Sequence, residues 1–260
     1  MMRRGWIAPT VAALSILALA TVPASAERAQ NGSVIVSLKG GISPNKLPRD
    51  RPAPVAVHLS GGVETSDGSP LPRVNSIKLE LAWRGKIDTK GLAVCPRERL
   101  RSTDSGQAMA LCGDALVGDG QLFAKVFFPN QTPFGVHANL LVFNGQTNAG
   151  APAVWAHAYS PDPPVSFIIP FEVRQQKGAF RTVLVTTIRR AVGPWPHVAN
   201  FRVKVARDFT HDGVRHSYLS ASCPVPPNFT VGFLSLARAT YRFAGGTEVT
   251  TETVRSCRTR

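Results

Sequence analysis

Alternation with a period of two restricts this chain more than any other feature. In SIKLELAW (76–83), Ile77, Leu79, Leu81 and Trp83 fall on one side while Lys78 and Glu80 fall on the other. In NFRVKVA, Phe201, Val203 and Val205 alternate with Arg202 and Lys204. Successive side chains of a strand point to opposite faces, so a half-buried strand needs this period and an α-helix cannot use it. Short runs of similar character recur at SVIVSL (33–38), PVAVHL (54–59), QLFAKVFF (121–128), HANLLVF (137–143), AVWAHAY (153–159) and VSFIIPFEV (165–173). They continue at RTVLVTTIR (181–189), VANFRVKVARDF (198–209), VRHSYLSASC (214–223), FLSLARATYRF (233–243) and TEVTTETVRSC (247–257).

The punctuation between these runs agrees with strands. Asp212-Gly213 is a two-residue hairpin signal, Gly245-Gly246 repeats it, and Asn144-Gly145 ends the HANLLVF run. The 21 prolines oppose long helices, because proline interrupts a helix interior. The expected fold is therefore all-β: a two-sheet antiparallel sandwich, jelly-roll-like or Greek key, with one short helix near 105–112. The proline-rich segment GGISPNKLPRDRPAP (40–54) reads as an ordered loop crossing between sheets. No internal repeat and no linker divides residues 27–260, which read as a single domain.

Residues 1–26 read as a secretory signal peptide: Arg3 and Arg4, an apolar stretch from Trp6 to Val22, and a small-x-small site at Ala24-Ser25-Ala26. An uncleaved N-terminal anchor is the alternative, since the apolar stretch approaches the roughly 18 residues that span a bilayer. No later run is long and apolar enough to cross a membrane. The expected location is secreted or extracytoplasmic. The chain carries a formal charge of +14; Arg3 and Arg4 account for two of those charges, leaving +12 on residues 27–260. Such an excess favours anionic partners.

Four cysteines in an exported chain read as two disulfides, with three connectivities open in principle. Cys95 and Cys112 lie in the first half, Cys223 and Cys257 near the C-terminus, so proximity predicts the pairs Cys95–Cys112 and Cys223–Cys257. The first bridge would tie a loop and a short helix, N-capped at Ser105 and ending at Gly113, back to the strand entering at Leu92. A structural zinc site is disfavoured, because no Cys-x-x-Cys and no histidine at ligand spacing occurs.

Catalytic signatures are absent. There is no G-x-S-x-G, and no pair of carboxylates stands out, although Glu80 and Glu172 sit on strands. His211, Asp212 and His216 flank one hairpin turn and are the best metal candidates, though exposed turns hold such residues for conformational reasons too. His137 and His157 can meet across their strand pair. Trp83 and Trp155 read as core, whereas Trp195, in the proline-flanked VGPWPH, is a candidate ligand-binding residue. No cofactor is expected. No nucleic-acid partner is expected either, for want of a binding motif.

The blocks ISPNKLPR, GLAVC, CGDALVG, VFNG and SYLSASCP, in this order and with a cysteine near the C-terminus, resemble a group of exported bacterial proteins of uncharacterised function. The resemblance covers nearly all of residues 27–260. It implies a secreted, all-β, disulfide-paired protein and carries over no functional residue. Together these features point to a non-catalytic basic module bound to anionic envelope polymers or polysaccharide. The alternative is an extracellular hydrolase of a polysaccharide or ester.

Overall fold

A computed structural model describes residues 27–82, 84–188 and 196–259. The expected signal peptide, Trp83 and Trp195 lie outside the described residues. Within them the chain forms β1 (Arg28–Asn31), β2 (Val34–Ser43), β3 (Lys46–Leu47), β4 (Ala53–Pro54), β5 (Ala56–Thr65), β6 (Val74–Ala82) and β7 (Gly85–Ile87). The helix α1 (Ser105–Cys112) follows, then β8 (Leu116–Val126), β9 (Phe134–Gln146), β10 (Pro152–Pro161), β11 (Pro164–Gln175), β12 (Phe180–Thr187) and β13 (Pro196–Val205). The last elements are β14 (Asp208–His211), β15 (Val214–Ser217), β16 (Leu219–Ala221), β17 (Val231–Phe243) and β18 (Glu248–Thr259).

Thirteen of these strands, counted among the described residues, hydrogen-bond in the order β1-β2-β5-β13-β8-β9-β10-β11-β12-β6-β17-β18-β3. A three-stranded sheet, β4-β16-β7, and the hairpin β14-β15 complete the fold. The chain is thus mostly β with one short α-helix, as its alternation predicts. The large sheet curls into a half-barrel and does not separate clearly into the two layers of the expected sandwich. Its ladder is unbroken because bulges bend strands without ending their pairing. Register shifts fall at Leu116/Gly118, Phe180/Thr182, Val198/Asn200 and Ser235/Ala237.

One face of the sheet holds the main core, with Val36, Leu38, Leu59, Leu122, Leu140, Ala156, Ala239 and Phe243 buried together. Polar contacts join the first strands to the last across the seam. Asn31 Nδ2 donates to the Glu248 carbonyl at 3.0 Å, and Arg255 donates to the Gly40 carbonyl and pairs with Glu27. Thr253 Oγ1 donates to Glu27 at 3.1 Å. Burial alone would raise the Glu27 carboxyl, but the bonds from Arg255 and Thr253 outweigh it and hold the group below the usual carboxylate range.

Several local expectations need correction. The segment 40–54 is partly strand: β2 runs to Ser43, and β3 pairs parallel with β18 through Lys46↔Arg258 and Leu47↔Thr259. The cap of α1 is Asp104, not Ser105. Its carboxylate accepts from Gln107 N at 2.8 Å while the Gln107 side chain accepts from Asp104 N at 3.1 Å, a reciprocal capping box. Glu80 is only 5% exposed, although it lies on the polar side of its strand. Lys78 Nζ, at 2.8 Å, and Gln176 Nε2, at 2.9 Å, cover and satisfy it.

Candidate binding groove

Both predicted disulfides are present. Cys95–Cys112 and Cys223–Cys257 have Cα separations of 5.4 and 5.7 Å. The first staples the segment 95–112 onto the face of β9 and β10 that is turned away from the main core. There Cys95, Leu100, Ala108 and Cys112 bury a second, smaller core with Phe143, Trp155 and Ile168. Polar bonds fix the segment: Trp155 Nε1 donates to the Cys95 carbonyl at 2.9 Å, and Asn144 Nδ2 donates to the Ala93 carbonyl at 2.8 Å. His157 is fully buried under it, with Nε2 3.0 Å from both Thr103 Oγ1 and the Thr103 carbonyl. Trp155 is therefore core, as read from its alternation.

Farther along the same face the sheet is uncovered, and an open groove of about 860 Å³ crosses it. Strand register builds this groove. Ser37, Gly62, Asn200, Phe123 and His137 form one cross-strand row, and Lys39, Ser60, Arg202, Gln121 and Asn139 form the next. Directly opposed residues share a face, so each row points its side chains the same way. Val36, Leu38, Leu59, Leu122 and Ala138, which alternate with the groove residues, face the core instead.

Local features shape the floor. At Gly62 an added methyl would lie 2.9 Å from the Ala199 carbonyl, so only a glycine leaves the notch open. On the core-facing row behind it, a methyl at Gly120 would overlap the Arg202 backbone, so the glycine lets β8 and β13 approach. The Phe123 ring lies over Gly135 and beside His137, with ring centroids 4.6 Å apart. Arg202 Nε donates to Gln121 Oε1 at 3.1 Å, which orients the guanidinium along the row. Lys39 and Arg202 are the charged lining residues, and the lining includes no carboxylate. Such a surface offers cations, amide donors and acceptors, and one ring face.

The sequence-derived candidates lie elsewhere. His211, Asp212 and His216 do share the β14–β15 hairpin, whose turn residues Asp212 and Gly213 have φ of 51° and 73°. His211 Nε2 sits 3.2 Å from Asp212 Oδ2, whereas His216 Nδ1 turns toward Asp88 Oδ2 at 3.7 Å and stacks on Phe209. Burial alone would raise the Asp88 carboxyl, but the Lys90 backbone N–H and the Lys86 ammonium hold it low. Among the described residues no group of three or more His, Cys, Asp or Glu side chains is placed to hold a metal ion. His137 does not meet His157: it lies opposite Phe123, and His157 opposite Leu141. Glu80 and Glu172 do not face one another, because β12 runs between their strands.

Sequence reasoning missed Lys39, Gln121, Phe123, Asn139, Asn200 and Arg202. Their only local signal is the half of each alternation turned away from the core, polar except for Phe123, and only sheet order shows that these halves adjoin. Among the described residues no helix is long and apolar enough to cross a membrane. Comparison of the chain with protein-family models, with curated proteins and with solved structures finds no match.

Proposed function

We propose that this protein is a non-catalytic, extracytoplasmic binding module that holds an anionic polysaccharide of the cell envelope in the groove across β2, β5, β13, β8 and β9. The observation that carries this reading is the groove's lining: Lys39 and Arg202, three side-chain amides and the Phe123–His137 ring pair, with no carboxylate among them. Five strands at about 4.8 Å spacing make a track about 19 Å long, which suits several residues of an extended polymer. Cations meet its acidic groups, amides its hydroxyls, and the ring a sugar face. The two disulfides, the signal-like residues 1–26 and the charge of +12 on residues 27–260 support an extracytoplasmic setting.

Hydrolysis fits less well. Glycoside cleavage needs two carboxylates flanking the bond, and none lines the groove. Ser37 and His137 stand at opposite ends of one five-strand row, with three strands between them, out of the hydrogen-bond reach that a nucleophile and its base need. The test is sedimentation of the purified chain with isolated envelope fragments over a salt series. Binding should weaken as salt rises, and Lys39→Ala/Arg202→Ala should lower the affinity about a hundredfold, about tenfold per cation. Envelope binding that is indifferent to both substitutions, or no binding at low salt, would overturn the proposal.

A further inference from the structure

A second surface lies away from the groove, at the start of β17. Phe229, Val231 and Phe233 are 62%, 44% and 77% exposed. Val231 and Phe233 are two apart on one strand and so share a face. Their partners on β18 are Arg258 and Ser256, and Arg258 is in turn opposite Lys46 on β3. The apolar side chains therefore lie on the same face as two exposed cations. The half-buried Arg49 donates from Nη2 to the Phe229 carbonyl at 3.3 Å. Asp50, beside Arg49, is the adjoining carboxylate.

The backbone beneath is fixed. Cys257 pairs with Cys223, and a methyl at Gly232, opposite Cys257, would lie 2.8 Å from Val225 Cγ1. Thr259 N donates to the Thr230 carbonyl at 2.9 Å. The strand cannot rotate to bury Phe233 without breaking these contacts. A rigid, outward apolar cluster beside lysine and arginine has the chemistry of an interfacial anchor: rings enter the acyl boundary while the cations meet anionic headgroups.

We infer that Phe229, Val231 and Phe233, with Lys46, Arg49 and Arg258, dock the protein on the surface of an anionic lipid bilayer. This contact is independent of the polysaccharide groove and does not rest on that reading. The test is flotation of the purified full chain with vesicles of phosphatidylcholine containing phosphatidylglycerol, and with phosphatidylcholine alone. Binding should require phosphatidylglycerol. Phe229→Ser/Phe233→Ser should weaken it at least tenfold, Lys46→Ser/Arg258→Ser should also weaken it, and Lys39→Ala/Arg202→Ala should leave it unchanged. Both Phe positions are solvent-exposed, and an unchanged far-ultraviolet circular dichroism spectrum checks the fold. Undiminished vesicle binding by the Phe variant would overturn the inference. So would loss of binding only in the groove variant, or no vesicle binding by a chain whose self-association the Phe substitutions abolish.

Discussion

Gly145→Ala tests how the stapled segment is held. Gly145 does not itself adopt a left-handed backbone; its constraint is the Trp155 indole lying against it. A methyl at Gly145 would overlap the indole nitrogen and lie 2.8 Å from Cδ1. Trp155 is buried between the stapled segment and β9, so it cannot simply move outward. Overpacking a close-packed site costs about 1–3 kcal/mol. Displacing the indole also breaks its bond to the Cys95 carbonyl, and a buried acceptor left without a partner costs about 1–3 kcal/mol more. The reduced freedom of the unfolded chain returns about 0.4–1 kcal/mol. The expected net loss is about 3 kcal/mol. Urea unfolding with both disulfides intact, followed by tryptophan fluorescence, measures it. Gly113→Ala is the control, since its methyl would meet only the flexible end of Met109 at 3.7 Å and should cost little. An unchanged or raised midpoint for Gly145→Ala would refute the account of how Trp155 clamps the segment.

Two further outcomes follow from the buried elements. Burial pushes the His157 imidazole below its ordinary value, more than the Thr103 carbonyl and Asp104 restore it. The unfolded chain then takes up a proton first as pH falls. Stability should be full above about pH 6.5 and decline below it by up to about 1.4 kcal/mol per pH unit until the folded-state value is reached; His157→Gln should remove that part of the slope between pH 5 and 7, and an identical slope in both proteins would contradict it. Replacing Cys223 and Cys257 with serine opens a link 34 residues long and should cost roughly 3.7 kcal/mol in thermal or urea unfolding, against roughly 3 kcal/mol for the 17-residue Cys95–Cys112 link. The reverse ranking would show that strain or residual unfolded-state structure outweighs chain entropy.

Much of the fold was legible wherever a local rule acts on neighbouring residues. Phe201, Val203 and Val205 announced β13 by alternation, and Asp212-Gly213 announced the β14–β15 turn through its two left-handed residues. Both disulfides followed from position. The curl of the large sheet was not legible, because it depends on bulges at places such as Val198/Asn200 and on contacts such as Glu27 with Arg255, far apart in sequence. Glu80 misled because alternation gives a side, not a covering; Gln176 arrives from another turn. The groove was hidden for the same reason. Lys39, Phe123, His137 and Arg202 come from four strands whose adjacency is a property of topology.

The ends of the large sheet have a consequence for pairing with other chains. An open sheet exposes backbone donors and acceptors along its outermost strands, and any extended chain can add there. Here one outermost strand, β1, is four residues long and is tethered by Asn31 to β18. The other, β3, offers two residues and pairs with β18 in the parallel sense. Beyond β3, residues 248–257 of β18 pair, among the described residues, only with β17, and β1 lies against that stretch through Asn31. Lengthening either outermost strand would add unpaired backbone donors and acceptors to the sheet's edge, the groups on which another extended chain pairs.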